Sequence, residues 1–154
     1  MNTKQSLEDR VDQLIAWYGD GQDGSSPTAE QWRRLVARDA DAPVTFVNFF
    51  KMRDLAEPAE TAQAAAVSET GEEAFSRYAS VSVPTVEKVG GKFLLIAPFE
   101  ASFIGDAEDW DLIAVGAFPT AEAALALYED PDYRGVYPLR TAGCARQKVV
   151  MCTA

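Results

Sequence analysis

The chain has 154 residues, 47% of them hydrophobic and 25% charged, with 24 Asp and Glu against 14 Lys and Arg for a formal net charge of −10. It contains no histidine, which excludes Ser-His-Asp and Cys-His catalysis, imidazole ligation of a metal or haem, and a side chain that titrates near neutrality unaided. The length fits one packed domain with room for a terminal appendage, and the lack of a basic stripe argues against a nucleic-acid partner.

Residues 1–12 alternate charges and lack the apolar stretch of a secretory signal. The longest apolar run, residues 93–99, is far short of a membrane span. A cytoplasmic chain with no membrane partner is expected. Leu7, Val11, Leu14, Ile15 and Tyr18 recur at three-to-four spacing and predict an amphipathic helix ended by Gly19. The polar loop DGQDGSS over residues 20–26 leads to a second short helix, with Ser26 as its N-cap, Pro27 in its first turn, and Trp32, Leu35 and Val36 on one face. These helices form an N-terminal extension, residues 1–42. Their apolar stripe must cover either the main domain, residues 43–154, or a partner subunit.

The main domain opens with a β-branched and aromatic strand over 44–53, VTFVNFFKMR. Residues 54–70, with Pro58 and the alanines 64–66, read as an irregular or partly helical connection. Gly71 opens a helix to Val89, with Phe75, Tyr78, Ala79, Ser82, Val86 and Val89 on one side, Glu72 and Glu73 at its positive end, and Pro84 predicting a kink. Gly90 and Gly91 end it. A long strand follows over 92–104, an acidic turn over 105–109, a third strand over 110–118 stopped by Pro119, a helix over 121–129 capped by Thr120, a further turn around 133–137, and a fourth strand over 144–152.

The order strand, helix, strand, strand, helix, strand is the split β-α-β of a ferredoxin-like α+β fold with a four-stranded antiparallel sheet. Alternation places Phe93, Leu95, Ala97, Phe99, Ala101 and Phe103 on one face of the second strand, while Leu94 and Ile96 make the other face apolar at its start. Both faces then need cover. The economical answer is a homodimer whose two sheets meet face to face, a dimeric α+β barrel. Cys144 and Cys152, eight residues apart on one strand, are separated by roughly 26 Å at a rise of ~3.3 Å per residue, beyond disulfide reach, and are expected as free thiols.

The strand VNFFKMR, the helix start GEEAFSRY, the link VGGKFL, the stretch FEASFIG, and WDLIAVGAFPTAEAALALYEDPDY followed by RTAG occur in this order over residues 44–151. The ordered set resembles the longer members of domain-of-unknown-function family 1330. The resemblance implies the dimeric α+β barrel superfamily and a small-molecule cleft between sheet and helices, and it carries no settled activity. That superfamily also holds haem-degrading and cofactor-independent monooxygenases, lactone isomerases and small cyclases, of which a histidine-ligated haem member is excluded here.

Six residues are candidates for a site. Asn48 shares its strand face with Val44, Phe46, Phe50 and Met52. An amide among large apolar groups needs partners, either a nearby backbone or the oxyanion of a substrate. Glu100 matches the glutamate of the family's strand, and burial would raise its pKa toward that of a general base. Its structural alternatives are a solvated carboxylate where the strand leaves the sheet, or pairing with Arg53 or Arg140. Arg140, in the RTA motif, is suited to clamp a carboxylate or to bridge to Asp130, Asp132 or Glu100. Arg53 ends the first strand with the same two readings. Trp110 and Tyr78 are suited to floor an aromatic-substrate pocket or to pack a core or dimer interface. The acidic run Asp106, Glu108, Asp109, Asp111 lacks the spacing of a calcium loop, so no metal site is expected. No cofactor is expected.

Two functions are consistent with these residues. One is a cofactor-independent enzyme performing proton transfer, isomerisation or oxygenation on a small organic acid or aromatic compound. The other is a noncatalytic small-ligand-binding or dimerisation module. A buried Glu100 facing Asn48 across a cavity marks the enzyme; a cavity lined by apolar groups marks the binder.

Overall fold

A computed structural model describes residues 6–57 and 69–153. The elements run α1 (Leu7–Tyr18), α2 (Ala29–Val36), β1 (Val44–Met52), α3 (Gly71–Lys88), β2 (Lys92–Pro98), β3 (Leu112–Phe118), α4 (Ala121–Glu129), α5 (Pro131–Gly143) and β4 (Cys144–Cys152). The four strands form one sheet in the order β2-β3-β1-β4, with every neighbouring pair antiparallel. This is the ferredoxin-like arrangement expected from the order of elements. The connection containing Pro58 and residues 64–66 lies outside the described residues.

Local chemistry explains the helix boundaries. Ser6 caps α1 by accepting from the Asp9 amide, and Gly19 ends it at a φ of 92°. The cap of α2 is Thr28, two residues after the expected Ser26, because a glutamine three positions on completes a reciprocal capping box with Thr28. Thr70 and Glu73 do the same for α3. Pro84 is accommodated inside α3, which continues through it as one helix.

Two segments depart from the expected elements. β2 ends at Pro98, whose missing amide hydrogen cannot extend the ladder, and its register shifts between Phe93 and Leu95. The shift breaks simple alternation. Phe93 and Ile96 lie over Gly116 and Ala114 on the helix-covered face, whereas Leu95 and Ala97 pair with Val115 and Ile113 on the opposite face. The expected single stripe from Phe93 to Phe103 is therefore not formed. The second departure is α5, a thirteen-residue helix where a turn was expected around 133–137. Asp130 caps it, its Oδ1 accepting from the amides of Asp132 and Tyr133 at 2.8 and 3.2 Å, and Pro131 occupies the first turn, where its lost donor is not needed. Lys88 pairs with Asp130 at 2.8 Å. Although burial opposes it, these contacts hold the Asp130 carboxyl below the usual carboxylate range.

Helices α3, α4 and α5 cover one face of the sheet over a core that includes Val44, Phe50, Phe75, Phe118 and Leu127. Val11, Leu14, Trp32, Leu35, Ala121 and Leu125 build a second cluster, and Tyr18, Phe46, Tyr128 and Met151 pack against both. The stripes of α1 and α2 thus cover the chain's own α4 and sheet. Arg10 reinforces the docking by pairing with Glu122 at 2.6 Å and with Glu129.

Candidate functional site

A cavity of about 100 Å³ lies between the sheet and α3, α4 and α5. The volume suits a small organic molecule. Its floor includes Phe46, Asn48 and Phe93, and its roof the Tyr78 and Ser82 face of α3. The three-to-four spacing along α3 puts that face over the sheet, and strand alternation puts Asn48 beneath it.

At one end stands Arg140, 4% exposed. Its Nε donates to Gln147 Oε1 at 2.8 Å, and Nη1 donates to the hydroxyls of Tyr78 and Tyr133 at 3.2 and 3.4 Å. Those two hydroxyls are themselves 2.7 Å apart. The guanidinium carbon lies over the rings of Phe50 and Tyr137 at 4.8 and 5.3 Å. Among the described residues no carboxylate pairs with Arg140, and Nη2 has no hydrogen-bond partner. Burial opposes its charge, but the oxygens of Tyr137, Tyr78 and Tyr133 outweigh this, so its pKa is raised and it stays protonated. Burial also holds Tyr133, Tyr137 and Tyr128 above the usual phenol range. The cluster is thus a single positive charge among buried tyrosines. Three hydrogen bonds offset the cost of burying the guanidinium, and among the described residues no counterion stands beside it.

The other candidates separate. Tyr78 lines the cavity and touches Arg140. Asn48 lines it too, but its Nδ2 donates to Ala114 O at 2.9 Å and reaches Phe46 O at 3.5 Å. Both neighbours are carbonyls, which fixes the amide orientation. The expected oxyanion donor is therefore already engaged, and Asn48 retains its Oδ1 acceptor. Glu100 is exposed on the segment after Pro98, outside the cavity, in the position of a solvated carboxylate and not of a buried base; β2 ends before it can carry the residue under the helices. Arg53 also lies outside the cavity. Its side chain pairs with Glu57 at 3.4 Å, and its backbone bonds Gly143 O at 2.8 Å and the Gly71 amide at 3.1 Å. Trp110 packs away from the cavity, beneath Arg146 at 4.7 Å, and donates to Glu108 at 3.1 Å.

The acidic run is likewise occupied by cations, with Lys51 on Asp109 and Asp111 and Lys148 on Glu108. Among the described residues no three His, Cys, Asp or Glu side chains cluster as a metal site. Cys144 and Cys152 are free thiols, and burial pushes the Cys144 thiol up to about 11.

Tyr133, Tyr137 and Gln147 are site residues that the strand-and-turn reading did not single out. The signal was present in α5: Tyr133, Val136, Tyr137 and Arg140 recur at helical spacing and are all buried. Gly135 and Pro138 within the segment masked it.

These features define a ferredoxin-like α+β protein with a small, largely apolar cavity that ends on a buried arginine. The family described as "Domain of unknown function (DUF1330)" matches residues 63–153, more than half of the chain, and the chain belongs to it. Among solved structures, the RPA0582 protein of unknown function from Rhodopseudomonas palustris is similar at 28% identity, covering 84% of this chain and 95% of that one, with a TM-score of 0.72. A structure of the methylated RPA0582 protein is similar at 27% identity, covering 84% and 93%, with a TM-score of 0.73. No curated protein matches.

Proposed function

We propose that this protein binds a small organic carboxylate in the cavity between sheet and helices, with the acid on Arg140 and its apolar body against Phe46, Phe75 and Phe93. The observation that carries this reading is the buried, charged Arg140 with no carboxylate from the described residues beside it. A bound carboxylate supplies the missing counterion and gains charge-assisted hydrogen bonds. Binding without chemistry is favoured over proton transfer, because among the described residues no Asp, Glu or Cys lines the cavity and Glu100 stands outside it.

The test is a thermal unfolding series of the full chain in 3-phenylpropionate and in the uncharged 3-phenylpropionamide. A ligand that binds only the native state raises the midpoint as its concentration passes its Kd. The acid is expected to raise it and the amide to leave it unchanged. Equal shifts, or none, would contradict the reading.

We also propose that two copies pair through the face of the sheet opposite the helices. Supporting this, Leu95, Val115, Val47 and Val150 stand side by side across all four strands. Leu95 and Val150 remain 49% and 44% exposed, and Phe103 and Ile104 project beyond β2. An antiparallel sheet left to water carries polar groups on its free face, so this row calls for a cover. Sedimentation equilibrium is expected to give twice the 16.7 kDa chain mass, and Leu95→Glu to return the chain mass. A wild-type chain that sediments as a monomer would contradict the pairing.

A further inference from the structure

We propose that a second cavity, between the N-terminal segment and β4, is part of the same site, and that the ligand is an acid branched at the carbon bearing its carboxylate, with one apolar and one polar arm. This rests on the reading that Arg140 binds a carboxylate. The second cavity, about 380 Å³, lies between the loop from Gly21 to Thr28, α2 and β4, and it shares Phe46, Tyr128 and Arg140 with the inner one. The guanidinium therefore stands at the partition, with Nη1 held by the tyrosines that roof the inner cavity and Nε held by Gln147 of the outer wall.

The two sides differ in chemistry. The inner cavity has room for a ring or short branched chain among phenylalanines and aliphatic groups. Among the described residues no Asp or Glu lines the outer one, and its wall is rich in donors. Arg34 on its rim forms no ion pair among the described residues. Ser26 Oγ and Trp32 Nε1, on residues of its wall, are covered and have no hydrogen-bond partner among the described residues. A buried polar atom left without a partner costs about 1–3 kcal/mol, and rotation of the Ser26 hydroxyl toward an acceptor-bearing ligand arm in this cavity offers relief. The loop is tied to the arginine's own partners, since Ser25 O accepts from Tyr137 at 2.8 Å and from Gln147 at 3.4 Å. A carboxylate ends a chain. A single acid that places it on Arg140 and fills both cavities must branch close to it, and branching at the adjacent carbon is the most compact way to do so. The class is an α-substituted carboxylic acid, with an aromatic or aliphatic arm inside and an amide or similar acceptor arm outside.

N-acetylphenylalanine and 3-phenylpropionate share the benzyl group and carboxylate and differ by one acetamido substituent, so their calorimetric titration into the full chain isolates the outer cavity. N-acetylphenylalanine is expected to bind roughly tenfold tighter, the ratio given by one net hydrogen bond. In the Ser26→Ala, Arg34→Ala double variant the ratio of the two affinities is expected to fall toward one. Equal affinities for the wild-type chain, or a ratio that survives the double substitution, would overturn the second compartment while leaving the Arg140 reading intact. Failure of both acids to bind would overturn the two together.

Discussion

Arg140→Met is expected to leave the unliganded protein as stable as the wild type or to stabilise it by up to about 3 kcal/mol, while weakening carboxylate binding about a hundredfold. The first half follows from the cost of a buried charge. Arg140 is almost wholly buried and pairs with no carboxylate among the described residues, and replacing buried ionic groups by apolar ones of similar volume is neutral or stabilising by about 1–4 kcal/mol. Its loss does not strand the tyrosines, because the Tyr78 and Tyr133 hydroxyls already bond each other at 2.7 Å. Against the gain stand the contacts of the guanidinium with the rings of Phe50 and Tyr137 and the bond to Gln147. The second half follows from hydrogen bonds to a charged group, each worth about 1.5–3 kcal/mol, which converts to roughly a hundredfold in affinity. Urea denaturation and calorimetry of one protein preparation check both halves. A loss of more than about 3 kcal/mol in stability would show that Arg140 is held for the fold and not for a ligand.

The second large effect lies where α3 and α5 meet the end of β1. A Cβ added at Gly71 falls 2.2 Å from Arg53 O, 2.6 Å from Gly143 O and 2.7 Å from Arg53 N. All three are backbone atoms that cannot rotate away, and all three belong to the bonds that tie Gly71 and Gly143 to Arg53. Gly71→Ala is expected to cost about 2–4 kcal/mol, at the upper end of single substitutions, and to weaken ligand binding by moving Tyr78 away from Arg140. Gly105→Ala is the control. Gly105 has a φ of 95° but open space around its Cβ, so only the left-handed backbone is penalised, at roughly 1–2 kcal/mol. Equal losses at the two positions in urea denaturation would refute the close-approach explanation.

Much of this architecture is legible in the sequence because periodicity reports burial directly. The stripe on α1, the Phe75-to-Val86 face of α3, and the bounds of α4 and β4 all follow from spacing and capping residues. Two tertiary effects defeat that logic. In β2, all of Phe93 to Ile96 are apolar, so composition gives no sign of the register shift that sends Phe93 and Leu95 to opposite faces. In α5, Gly135 and Pro138 lower the local helix preference, and packing against α3 and the sheet overrides it. The consequence for the site is direct. Read as a loop before a strand, Arg140 looks like a surface clamp or salt-bridge partner; carried on α5, it is turned under the helices. Asn48 and Tyr78 were legible as inward-facing residues from strand and helix spacing. What Asn48 donates to was not, because Ala114 O comes from a strand 66 residues away.

The most direct measurement is a crystal structure of the full chain grown with 3-phenylpropionate. The expected result is the carboxylate within hydrogen-bond distance of Arg140 Nη2, with the ring against Phe46 and Phe93 beneath α3. A ligand bound elsewhere, or an Arg140 paired with one of the protein's own carboxylates, would contradict the account.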